Sequence, residues 1–173
     1  MIFGKLFLER VNNNFVRHVS DRFSEMLQAN IELVPGEIKT DTFGDFIRKL
    51  PYFTSMNVFE TKPTQRYFVL EINPQVVFSF TDRMLGGQGS LSMKERQTFA
   101  LSEQLVLKKT MEKFKGIYCE VFFECQLVRQ ESQSRVIHTF LATDPIFSVD
   151  YQCYLNEKLV GGVHSCFPQT ETI

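Results

Sequence analysis

The sequence predicts an α/β fold in which two long amphipathic helices pack on a mixed β-sheet. Three observations carry that reading. Apolar residues recur at three- and four-residue steps over 13–29 and again over 99–114. Period-two alternation runs through much of 119–167. The order of a helix followed by strands occurs twice, on either side of a glycine-rich run at 86–89, which suggests two related halves around one sheet. At 173 residues the chain fits a single domain, 1–173, able to bury a core without metal or disulfide staples.

In chain order, Phe15, Val16, Val19, Phe23, Met26 and Leu27 form the apolar stripe of the first helix. Residues 31–40 read as a strand bent at Pro35 and Gly36. A short helix over 41–50 takes Asp41 or Thr42 as its cap and ends before Pro51. Strands at 54–61 and 66–72 follow, joined near Pro63. Asn73 then caps a helix with Pro74 at its first position, and three glycines in four residues stop it. The second long helix carries Leu101, Leu105, Met111 and Phe114 on one side and is expected to end at Gly116. Strands are expected at 119–129, 135–142, 146–155 and 159–167, with Asn156, Glu157 and Lys158 at the tip of the last hairpin.

Composition excludes several classes of function. Nineteen basic residues against twenty acidic ones leave no positive surplus for nucleic acid or an anionic membrane. No apolar run approaches the ~20 residues of a membrane span. Residues 1–10 lack a small-residue cleavage pattern, so a cytoplasmic protein is expected. Cys119, Cys125, Cys153 and Cys166 lack paired metal-ligand spacing. As a strand, 119–127 would put Cys119 and Cys125 on a buried face with Val121, Phe123 and Leu127. Zinc held by Cys153, His164 and Cys166 is conceivable but does not match structural zinc spacing. No metal or cofactor is expected, and the histidines His18, His138 and His164 sit in unrelated elements.

Gly86, Gly87, Gln88 and Gly89 do not follow a strand and have neither dinucleotide-fingerprint spacing nor a following Lys-Ser/Thr pair. Taken alone they read as a helix cap and turn. The run from Asn73-Pro74 through Asp82-Arg83-Met84-Leu85 to these glycines resembles the middle domain of the flagellar motor switch protein FliM family. Residues 42–58, with Leu50-Pro51 and Thr54-Ser55-Met56-Asn57-Val58, are similar to the family's Leu-Pro-x-Pro-Thr-Ser-Leu-Asn-Val segment, with Phe53 in place of its second proline. Phe99 with Leu101-Ser102-Glu103-Gln104, and 161–168, resemble the opening of the family's next helix and its closing strand. The likeness covers roughly 13–173 and is one of pattern alone over 120–155.

The resemblance implies a pseudo-symmetric CheC-like fold and a non-enzymatic role in the flagellar motor switch ring, at the cytoplasmic face of the inner membrane. A FliG-like rotor protein would dock on Gly86, Gly87, Gln88 and Gly89, assisted by Asp82 and Arg83, which could also pair with each other. Neighbouring copies would meet through the long helices, with Arg17, Asp21, Arg22 and Glu25 facing Lys108, Lys109, Glu112 and Lys113. A response regulator is a further candidate partner; nucleic acid and membrane insertion are not expected. The family's CheY-binding N-terminal peptide and C-terminal FliN-like domain are expected to be absent from this chain.

Two alternatives accompany this reading: a ring component of a type III secretion apparatus, and a CheC-type aspartyl phosphatase. The phosphatase pattern Asp/Ser-x-x-x-Glu-x-x-Asn finds Asp21 and Glu25 but Gln28 in place of Asn, and Val106 stands four residues after Ser102. Misplacing a positioned water by about 1 Å can cost ~100-fold, so the pattern argues against catalysis. Ser55 has no neighbouring base to make it a nucleophile, and 54–57 read as a strand start.

Overall fold

Helix α1, Lys5–Leu27, is longer than its apolar stripe predicts, because Leu8 and Asn12 continue the buried face of Phe15, Val19, Phe23 and Leu27 by two further turns. The structure is a computed structural model describing residues 4–89 and 98–169. Strand β1, Ile31–Thr42, follows, and its register slips between Pro35 and Ile38, where a proline cannot donate to the ladder. Thr42 caps α2, Phe43–Arg48, by accepting the Asp45 amide at 3.2 Å. The hairpin β2, Phe53–Thr61, and β3, Tyr67–Ile72, leads to α3, Pro74–Met84, whose cap Asn73 accepts the Gln75 amide at 3.1 Å. After α4, Leu101–Val121, come β4, Cys125–Gln133, β5, Pro145–Leu155, and β6, Lys158–Pro168.

The six strands lie in the order β1-β5-β6-β3-β2-β4, and all five pairings are antiparallel. The expected mixed sheet is therefore corrected to a wholly antiparallel one. Strands that run in the same direction are separated by one of opposite direction throughout the order, so the described residues form no parallel pair. The order is symmetric about the central β6/β3 pair: each half is a helix, an edge strand and a hairpin. The two related halves read from the sequence are thus visible in the topology.

Both long helices cover the same sheet face. Between them and the strands lies an aromatic core in which Phe15 stacks on Tyr118 at 5.0 Å, Phe59 on Phe68 at 5.1 Å, and Phe68 on Phe167 at 5.4 Å. The opposite face is covered in part by α2, where Phe43, Phe46 and Leu50 meet Met56, Val58, Val69, Ile137, Ile146 and Cys166.

Several expectations in the second half fail. Helix α4 does not stop at Gly116 but runs five residues further, because Ile117 and Tyr118 are fully buried and tertiary packing outweighs glycine's low propensity. Residues 119–121 are consequently helical, and Cys119 is exposed on α4 while Cys125 is buried in β4. Residues 135–142 do not form a strand; a single 3-10 turn, Ser134–Val136, and a loop deliver Ile137 to the second core. Leu101 and Leu105 lie outside the core, 72% and 57% exposed; the buried stripe of α4 is Val106, Leu107, Thr110, Met111, Phe114, Ile117 and Tyr118.

Candidate functional site: the loop at the end of α3

The glycine loop begins as a helix cap. The amide of Gly86 donates to the Arg83 carbonyl at 3.1 Å and that of Gly87 to the Asp82 carbonyl at 2.8 Å. This is the two-bond Schellman closure, with Gly86 at φ +98 in the position that favours glycine. Among the described residues, and apart from its chain neighbours, no atom lies within 4 Å of where a Gly86 Cβ would stand, so its requirement there is one of backbone conformation and not of space. Gly87 differs: a Cβ there would come within 2.6 Å of Asp82 Cγ. Gly89 meets both demands, with φ +83 and a Cβ position 3.0 Å from Leu155 Cδ1.

Asp82 and Arg83 do not form the surface pair considered from the sequence; each holds the loop. Asp82 Oδ2 accepts the Gly89 amide at 2.8 Å, and Ser79 Oγ donates to the Gly89 carbonyl at 2.9 Å. Arg83 donates through Nη1 to the Gly87 carbonyl at 3.2 Å, through Nε to the Leu27 carbonyl at 3.0 Å, and through Nη2 to the Gln28 carbonyl at 2.6 Å. The last two belong to the end of α1. Above this anchored base the apex is exposed: Gly86, Gln88 and Leu85, the last 73% exposed. Leu85 is not among the residues singled out from the sequence, although it stands immediately before the glycines.

The charged residues of the long helices divide. Arg22 is ion-paired with Glu120 of α4 within the same chain. Arg22, Glu25, Lys109, Glu112 and Lys113 line one open groove of about 740 Å³ between α1 and α4, together with Met26, Met84 and Gly116. Arg17 and Asp21 are exposed on α1, and Lys108 lines a second groove of about 820 Å³ between α4 and β4.

The residues of the phosphatase pattern separate. Asp21 and Glu25 are exposed on α1, but Gln28 lies beyond its last turn at φ 49, so its side chain does not continue their face. Thr54, fully buried, donates to Glu71 Oε2 at 3.1 Å and to the Ile72 carbonyl at 3.0 Å. Ser55 Oγ accepts from Asn57 at 3.0 Å. Both serve the strand, as their sequence context suggests.

The zinc combination is not assembled. Cys153 faces the helix-covered core while Cys166 lies in the core on the other face of the sheet. Burial also pushes the Cys153 thiol up to about 12. His164 instead meets the buried Glu71, Nδ1 to Oε1 at 2.9 Å.

A family model described as "Flagellar motor switch protein FliM" matches residues 6–172. The chain belongs to the FliM family. The FliM of Escherichia coli (strain K12) is 25% identical over 93% of this chain and 50% of its own length. This chain spans about half the length of the curated relatives it matches first. Among solved structures, a chain of the FliG–FliM complex from H. pylori is 26% identical with a TM-score of 0.81, over 95% of this chain and 94% of that one. A CheC-like superfamily protein from a Shewanella species shares the fold alone, with a TM-score of 0.52 at 14% identity. Among the described residues, no helix of this FliM-family chain is long and apolar enough to cross a membrane.

Proposed function

We propose that this chain is a FliG-docking module of a flagellar motor switch ring. The observation that carries the reading is the construction of the α3 loop: an exposed apex of Leu85, Gly86 and Gln88 standing on a base fixed by Ser79, Asp82 and Arg83. A loop held in one conformation loses little ordering entropy on docking, and its small residues let a partner approach the backbone closely. The structural relative captured in a FliG–FliM complex supports the choice of partner. Asp82 and Arg83 then serve docking by shaping the loop more than by touching the partner.

The module is taken to act at the cytoplasmic face of the inner membrane and to pass switching motions between FliG and neighbouring copies. Arg17, Asp21, Glu25, Lys108, Lys109, Glu112 and Lys113 are the candidates for weak lateral contacts, with Arg22 occupied by Glu120. We assign no catalysis to it, since Gln28 has left the helical face that Asp21 and Glu25 share.

The test is titration of the domain with FliG of the same organism. Gly87→Trp is a poor probe, because it would displace Asp82 and confuse contact with loop collapse. Leu85→Glu and Gln88→Glu sit on the apex and should weaken binding more than about tenfold with the melting temperature unchanged. Wild-type affinity in both variants would place the interface elsewhere.

A further inference from the structure

We infer that Arg83 is a latch coupling the docking loop to the end of α1, so that the partner's hold on the loop depends on the position of that helix's last turn. The inference rests on the docking reading above and adds to it a route by which the site is controlled.

Both α1 and α3 end in the same closure. At α1 the Gln28 amide donates to the Glu25 carbonyl at 3.4 Å and the Ala29 amide to the Ser24 carbonyl at 3.2 Å, with Gln28 at φ 49. At α3 the pattern repeats around Gly86 and Gly87. Such closures satisfy some of the terminal carbonyls and leave others pointing outward, where the helix carries partial negative charge. Arg83 fits between the two ends. Its guanidinium places Nε and Nη2 on the Leu27 and Gln28 carbonyls, 56 and 55 positions away in sequence, and Nη1 on the Gly87 carbonyl in the loop itself.

One planar cation thus bridges two helix C-termini that no local chain segment joins. A lysine ammonium, a single point of charge, cannot reproduce three donors in that fixed fork. Because all three contacts lie within the chain, Arg83 is a positioning residue. If the loop is docking-competent only while latched, apparent affinity scales with the latched fraction. Any contact that shifts the last turn of α1, a neighbouring copy included, moves the carbonyls that Arg83 holds and with them the loop.

The experiment compares wild type, Arg83→Gln and Arg83→Lys by amide hydrogen exchange of the unbound domain and by titration with FliG of the same organism. Faster exchange is expected at Gly86, Gly87 and Gly89 and, together with them, at Gln28 and Ala29, with binding weakened about tenfold in Arg83→Gln. Arg83→Lys, which keeps the charge should the first variant fold poorly, is expected to restore little of either. Unchanged exchange in the unbound variants overturns the latch whatever the binding, since a direct contact residue would behave so. Faster exchange in the loop but not at Gln28 and Ala29 overturns the coupling. Faster exchange at both ends with wild-type affinity overturns control of docking. In that event Gln88→Glu separates the two readings: its loss of binding leaves the docking surface standing without a latch, and its wild-type binding removes the docking surface as well.

Discussion

The two halves of the sheet are built alike, and only one of them carries the proposed docking loop. Each half contributes a long helix, an edge strand and a hairpin. The hairpins meet at the β6/β3 pair, and each edge strand pairs with the hairpin of the other half, β1 with β5 and β4 with β2. The first half follows its hairpin with α3 and a glycine loop wired to α1, whereas the described part of the second ends soon after β6, Lys158–Pro168. Their cover on the second sheet face differs too. The first half forms the capped helix α2, and the second supplies a 3-10 turn and Ile137 in its place. The shared parts and the α3 residues Val76, Val77, Phe78 and Phe80 make the core, while the loop after α3 carries the candidate site, so damage to core and to loop should separate in experiment.

The sharpest way to break that division is Phe68→Ala. Phe68 is fully buried on β3 and packs on Phe59 of its own half and on Tyr118, Phe123 and Phe167 of the other. Its loss should cost about 3–5 kcal/mol in urea denaturation. A cost under about 1 kcal/mol would mean that the halves do not share a core.

Gly89→Ala comes next and tests the loop alone. At φ +83, with Leu155 and Ser79 3.0–3.2 Å from the new methyl group, it should cost about 1–3 kcal/mol and weaken FliG binding as well. Stability loss with intact binding would detach the loop from docking.

Across the central pair, His164 and Glu71 should give a pH signature. Burial lowers His164, but the hydrogen bond and charge of Glu71, with Asp150 adding to them, leave it above its ordinary 6.5. A histidine raised on folding gives stability that is complete below 6.5 and lost as pH climbs through the folded value. Glu71, raised by burial against the pull of His164, acts with the same sign from 4.5 upward. Stability should therefore fall with rising pH above 6.5, by no more than about 1.4 kcal/mol per pH unit for the one histidine proton. His164→Gln should flatten that part of the curve, and an unchanged slope would assign it to another group.

The smallest effect, and one of opposite sign, is expected from Gly116→Ala. Gly116 lies inside α4, and its Cβ would meet only Arg22 Nη1, at 3.6 Å. Thermal denaturation should show a gain of about 0.5–1 kcal/mol. The two glycine variants together separate a glycine required by φ from one that packing merely tolerates.

Local chemistry decided what the sequence could show by itself. Asn73-Pro74, Thr42, the apolar stripe of α1 and the alternation in β5 and β6 are short-range signals, and each element they mark is present. The glycines of the loop were legible as a cap for the same reason, and the resemblance to FliM rested on that stretch together with 42–58, Phe99 with 101–104, and 161–168.

Tertiary structure alone decided the rest. Gly116 is carried within a helix because Ile117 and Tyr118 are buried against strands distant in the chain, and Leu101 and Leu105 fall on the open side of α4 because the opposite side fits the core. Asp82 and Arg83 look like surface charges in a one-dimensional reading. Their hydrogen bonds reach Gly89 and the end of α1, and a side chain that spans more than fifty residues to a backbone carbonyl leaves no periodicity to read. A hydrogen bond requires only that its partners meet in space, and the packing of α1 beside α3 brings those groups together.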